Sequence, residues 1–204
     1  MGAVTCHDPH DPDFVYFTGG MDSDGILTRR AVQLYSKLSN SNDEDYTTQF
    51  DGVQILPEMP EPRCYHGAVC LDRSESAQDG QLQHMSCVVV AGGFNQGREL
   101  VQTVYMLKIQ HDYLGSKHRI NASWSTLPSM DGAETLHPTL MAVDNRYIYQ
   151  VSGFHDECNM IARLDIDAIN ADGAAWERFE IYRELSILPS IFPSADVDEP
   201  ANFV

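Results

Sequence analysis

Short apolar runs, each stopped by a tight turn of small residues, recur along this chain. Phe14-Val15-Tyr16-Phe17-Thr18 ends at Gly19-Gly20, Val88-Val89-Val90-Ala91 ends at Gly92-Gly93, and Tyr147-Ile148-Tyr149-Gln150-Val151 ends at Ser152-Gly153. A second marker recurs with them: Leu56-Pro57-Glu58-Met59, Leu127-Pro128-Ser129-Met130 and Leu188-Pro189-Ser190-Ile191. The first two of these carry a histidine seven positions past the Met, at His66 and His137. The turns are spaced by 73 positions (Gly19 to Gly92) and then 60 (Gly92 to Ser152), and the Leu-Pro motifs by 71 and then 61. Two unrelated motifs that drift in step indicate an internal repeat.

Each unit reads as four short strands. In the middle unit these are residues 65–71, 86–91, 101–109 and 123–127; the run at 86–91 is continuously apolar, as in a strand buried on both faces. The third unit repeats the order at 137–143, 147–151, 160–166 and around Trp176. The first supplies 14–18, 30–36 and 53–56, with Val53 standing where Trp124 stands, so it is expected to begin at a second strand. The glycines of each turn allow φ > 0 where inner strands crowd together.

Four-stranded meanders at a long fixed period are the signature of propeller blades. On these residues the chain resembles the kelch-repeat family: an apolar strand ending in Gly-Gly, an aromatic in the third strand, a Trp, and then R-x-x-H, here Arg63-Cys64-Tyr65-His66. In the next unit Glu134 replaces the Arg while His137 is kept, and the third unit reduces the diglycine to Ser152-Gly153. The resemblance implies an all-β, kelch-type β-propeller of about three four-stranded blades, a partial or incomplete ring. The blades fall near 14–59, 60–130 and 131–191, after a polar N-terminal tail over 1–13, with 198–204 as an extra or closing strand. Three blades fall short of the four to eight that close a ring. A piece of a longer propeller is the favoured expectation; a homo-oligomer completing the ring and an open array are the alternatives.

Charge narrows the partners. With 13 Lys and Arg against 30 Asp and Glu, the net charge of −17 argues against nucleic acid and against an anionic membrane, and favours a partner with a basic surface. The five cysteines form no C-x-x-C pair, the opening residues are polar rather than signal-like, and no apolar run is long enough to span a bilayer. A cytoplasmic protein with free thiols is expected, and the sequon at Asn121 is then incidental.

In an up-and-down blade, the loops after second strands and the links between blades emerge on one face. That face collects Asp22 and Asp24, then Asn95, Gln96 and Arg98, then His155 and Asp156, together with Arg63 and Tyr65 from a link. Kelch propellers that bind peptides use this face, so these residues are the expected partner contacts, with Arg63 and Arg98 foremost. Arg63 also admits a structural reading as a bond between blades. Gly19, Gly20, Gly92, Gly93, Gly153, His66, His137, Trp124 and Trp176 are expected to serve the repeat itself. Two insertions are expected as loops on the opposite face, an acidic one at 39–51 and a basic one at 108–119 that contains His111.

No catalytic residue, metal or cofactor is expected. Cys6-His7-x-x-His10 is broken by prolines, Asp22-Ser23-Asp24-Gly25 lacks the remaining acidic positions of a calcium loop, and the neighbours around His155 and Cys158 do not face one another readily. The resemblance therefore implies a non-catalytic protein–protein interaction module or scaffold, in the manner of ubiquitin-ligase substrate receptors. The alternative is a propeller enzyme acting on a carbohydrate, of epimerase or oxidase type.

Overall fold

The computed structural model describes residues 3–9, 13–37, 49–73, 75–76, 82–83, 85–114, 117–130, 138–151, 160–169 and 174–180. Among them every regular element is a strand, and the strands form three four-stranded antiparallel sheets. The first holds β1 (Val4–His7), β2 (Phe14–Thr18), β3 (Ala31–Lys37) and β4 (Gln49–Leu56) in chain order. The second begins with β5 (Gly67–Asp72), interrupted by a two-residue hairpin of β6 (Glu75–Ser76) and β7 (Leu82–Gln83). It continues with β8 (Met85–Ala91), β9 (Val104–Leu114) and β10 (Lys117–Leu127). The third is β11 (Thr139–Val143), β12 (Tyr147–Val151), β13 (Met160–Asp165) and β14 (Glu177–Glu180). This is a blade-like arrangement in which the first strands meet: β5 packs against both β1 and β11.

The alternation of side chains along β8 explains why its sequence is apolar throughout. Val88 and Val90 join the core shared with the first sheet, beside Phe14, Tyr16 and Leu56. Cys87, Val89 and Ala91 join the core shared with the third, beside Leu140, Ile148 and Leu164. These five of the seven β8 residues are essentially inaccessible to water. Each Val side chain so buried contributes on the order of 1.5–3 kcal/mol.

Three expectations are corrected. The segment read as a polar tail contains β1, whose Val4 pairs with Thr18 and whose His7 pairs with Val15. The first sheet therefore carries its own first strand, and a strand from 198–204 is not needed beside β2. Residues 108–114 and 117–119 are not a basic loop but the extended arms of the β9–β10 hairpin, paired as far as Leu114 and Lys117. Alternation placed His111 inward, where it is buried against the Phe14 ring at 5.3 Å between centroids. Of the acidic insertion, 49–51 belong to β4 and 39–48 lie outside the described residues, as do 198–204.

The first two Leu-Pro motifs join one sheet to the next, and the third, at 188–191, lies outside the described residues. Leu56 and Leu127 are buried, Met59 and Met130 fully so. The Trp124 indole donates to the Pro57 carbonyl at 2.8 Å, and the Trp176 indole to the Pro128 carbonyl at 2.9 Å. The Trp of the second and of the third sheet thus each bonds the motif of the sheet before it, giving the indole N–H an acceptor while the ring packs. A polar cluster sits in the first seam: buried Asp8 accepts from the Tyr16 hydroxyl at 2.8 Å and from the Ser86 hydroxyl. Burial, with Asp8 alongside, pushes the Tyr16 hydroxyl far above its ordinary range. Cys6, Cys64, Cys70 and Cys87 are buried free thiols.

Candidate functional site

The loops after β2 and β8 are copies of one turn. Asp22 and Asn95 open them, and the backbone N–H of each bonds the carbonyl four residues on, at 3.0 Å to Ile26 and 3.0 Å to Glu99. Their side-chain Oδ1 atoms accept from the N–H of Ile26 at 2.9 Å and of Glu99 at 3.0 Å, as short Asx side chains do in turns. The fourth position has a left-handed backbone in both: Gly25 at φ 78° and Arg98 at φ 62°. Glycine tolerates that conformation; arginine occupies it at a cost of about 1–2 kcal/mol. Gln96 links the two loops, its Oε1 accepting from the Leu27 N–H at 2.9 Å.

Close packing of the links against the diglycine turns sets these loops in place. A Cβ on Gly93 would lie 2.4 Å from the Cys64 carbonyl oxygen, and one on Gly19 would lie 2.5 Å from that of Arg63. The link itself takes a left-handed turn at Tyr65, φ 55°, and Cys64 bridges to Phe94. Between the two loops and this link lies a cleft of about 640 Å³. Met21, Leu27 and Phe94 supply apolar lining, and Tyr65, Asn95, Gln96 and Arg98 supply polar groups. A second hollow of about 470 Å³ adjoins it, shares Met21 and Leu27, and includes Asp22 and Arg29.

Four of the expected contacts, Tyr65, Asn95, Gln96 and Arg98, therefore converge on one cleft. Their roles differ, because Asn95 and Gln96 spend their side-chain oxygens on holding the loops, as Asp22 does in the neighbouring loop. Arg98 is exposed at the rim, and Asp24 is exposed on the adjoining loop. His155, Asp156, Gly153 and His137 lie outside the described residues.

Arg63 is a correction: it is fully buried and cannot meet a partner. Its Nη1 donates to the Thr103 carbonyl at 2.9 Å and its Nη2 to the Thr103 hydroxyl at 2.7 Å, with Glu61 at 3.3 Å. The guanidinium also lies 4.9 Å from the centre of the Tyr105 ring. This is the structural reading of the R-x-x-H motif. Burial lowers the Arg63 pKa, and Glu61 opposes that shift. Its motif partner His66 is likewise buried and shares a 2.8 Å hydrogen bond with the Thr18 hydroxyl through Nε2. Burial, with Arg63 nearby, brings the His66 pKa down to about 3, so the ring is neutral at physiological pH.

The strain at Arg98 was not legible in the sequence; alignment of Gly25 with Arg98 in the two loops was the available signal. Among the described residues, no group of three or more His, Cys, Asp or Glu side chains could hold a metal ion, and no helix is long and apolar enough to cross a membrane.

No family model matches the chain, and no curated protein matches it. Among solved structures it is similar to a chain in a cryo-EM structure of RAG in complex with one melted RSS and one unmelted RSS, with a TM-score of 0.38 and 8% identity. The match covers 89% of this chain and 66% of that one, so this chain spans just under two thirds of the length of the protein it resembles. A likeness at that level assigns neither a fold nor a function.

Proposed function

We propose that this chain is a kelch-type propeller module that binds a protein or peptide without catalysing a reaction, through the cleft between the β2–β3 and β8–β9 loops. The observation that carries this reading is the composition of that cleft. An apolar lining of Met21, Leu27 and Phe94 is rimmed by Tyr65 and by an exposed Arg98 held in a strained backbone. An apolar side chain of an extended peptide would fill the lining, and the guanidinium of Arg98 would donate to peptide carbonyls or to a carboxylate. Strain retained at an exposed residue in a cleft is the kind that function maintains. The net charge of −17 favours basic residues in the ligand outside the immediate reach of Arg98.

Selection of a displayed peptide library on the purified chain tests this. Enriched sequences should share an apolar position flanked by basic residues, and Arg98→Ala should weaken their binding by at least about tenfold, as loss of a central arginine contact does. A library without enrichment, or peptides bound equally by Arg98→Ala, would refute it.

A further inference from the structure

Among the described residues, the cleft between the β2–β3 and β8–β9 loops is lined by one charged side chain, Arg98, and by no carboxylate. The chain as a whole has 30 Asp and Glu against 13 Lys and Arg, so this stretch of surface departs from the rest. The acids of the two loops are held elsewhere. Glu99 accepts from the Asn95 Nδ2 at 3.1 Å, Asp22 Oδ1 accepts from the Asp24 and Ile26 N–H groups, and Asp24 lines neither hollow. Asn95 is engaged at both ends of its amide, because its Oδ1 accepts from the Glu99 N–H. Gln96 is engaged at one end only. A backbone N–H can be met only by an amide oxygen, so the bond from Leu27 fixes Oε1 toward that N–H. Its Nε2 is left as a donor with no partner among the described residues, and the Arg98 guanidinium has none either. Gly25, at the matching place in the first loop, shows that the turn itself does not require an arginine.

We infer that the cleft recognises a single carboxylate beside an apolar side chain, and that Gln96 is a specificity-determining residue that binds this carboxylate together with Arg98. Arg98 and Gln96 present donors only, and a carboxylate accepts without donating. Arg98 supplies the charge and a fork of N–H groups. Gln96 supplies an amide already oriented by its bond to Leu27, a bond that also ties the loop of the second sheet to that of the first. A donor held in place before the ligand arrives loses little freedom on binding. The ligand is not an acidic tract, because the net charge of −17 repels a run of acids while one carboxylate flanked by basic residues approaches freely. The carboxylate belongs to an Asp or Glu side chain or to a chain end, which are the same chemistry at the cleft. This inference rests on the peptide-binding reading proposed above and adds to it the group that the cleft selects.

Three random peptide libraries, selected on the purified chain, test this after removal of peptides that Arg98→Ala also captures. The first is amidated at its C-terminus and includes Asp and Glu; the second has a free C-terminus and lacks them; the third is amidated and lacks them. Enrichment of an acid beside an apolar residue in the first assigns the carboxylate to a side chain, and enrichment in the second assigns it to a chain end. Either supports the inference. Enrichment in the third that equals or exceeds the others overturns it and leaves peptide binding standing, whereas enrichment in none overturns both. In the best peptide, exchange of the carboxylate for the corresponding amide should weaken binding at least about tenfold. Gln96→Glu keeps an oxygen for the Leu27 N–H and puts a carboxylate where the donor was. It should lose the same peptide by a similar factor with its melting temperature unchanged, and binding equal to wild type would overturn the role of Gln96. Should Gln96→Glu fail to fold, the amide exchange in the peptide, which needs no altered protein, decides: equal binding of acid and amide overturns the inference.

Discussion

Arg63 and Arg98 are the same residue type put to opposite uses by their backbone positions. Arg63, in a link that crosses beneath a diglycine turn, gives its donors to Thr103 and its face to Tyr105. Arg63→Met leaves those acceptors and the Glu61 carboxylate without their cation, and should cost about 3–5 kcal/mol in urea unfolding. Arg98→Gly should do the reverse: it relaxes a left-handed backbone and should raise stability by up to about 1 kcal/mol while abolishing peptide capture. His66 supplies a pH signature. Its pKa is near 6.5 unfolded and about 3 folded, so below pH 6.5 the unfolded chain takes up a proton that the folded chain refuses. Its contribution is complete above pH 6.5 and is lost as the pH falls toward 3, by about 1.4 kcal/mol per pH unit. The difference in unfolding free energy between wild type and His66→Gln should therefore shrink with acidification; a difference independent of pH would mean that His66 titrates normally.

At the scale of elements, the strands were legible wherever burial imposed a pattern. β8 was readable as a two-faced buried strand because both of its faces are core, and β11 to β13 because alternation survives there. β1 was missed because only Cys6 of its four residues is buried, so Val4–His7 shows no apolar periodicity. The outer part of the β9–β10 hairpin was misread as a loop because its Lys, His and Arg residues mask the pairing that its backbone makes. The diglycine turns were read for their φ > 0, and the structure adds a second requirement, space for the crossing link. Gly93→Ala meets both, since its φ is 84° and its Cβ would lie 2.4 Å from a backbone oxygen. It should destabilise by more than the roughly 1–2 kcal/mol of a left-handed alanine alone, seen as a lower urea midpoint. A change within that range would mean the link simply shifts aside.

For the whole molecule, two shared cores on either side of β8 make the second sheet the element on which the other two depend. The excess of negative charge acts across all three sheets. With 30 acidic against 13 basic residues, self-repulsion opposes the compact state. Raising sodium chloride from about 20 to 200 mM shortens the Debye length severalfold and should raise Tm. A fall in Tm would show that exposed pairs such as Arg146 with Asp165 and Arg73 with Asp167 outweigh the net repulsion.

The sequence alone determined the all-β class, the repeat, and the order of the strands in the second and third sheets, with approximate bounds outside the long arms of the β9–β10 hairpin. Those follow from side-chain periodicity and glycine turns, which are local. It also placed the loops after β2 and β8 on one face, which follows from alternation in strand direction. Only the tertiary structure decided that Arg63 is sealed inside while Arg98 stands at a rim, that Pro57 and Pro128 receive the indoles of the following sheet, and that β1 completes the first sheet. These depend on contacts between residues tens of positions apart, and a side chain's surroundings at that separation leave no imprint on its immediate neighbours in sequence.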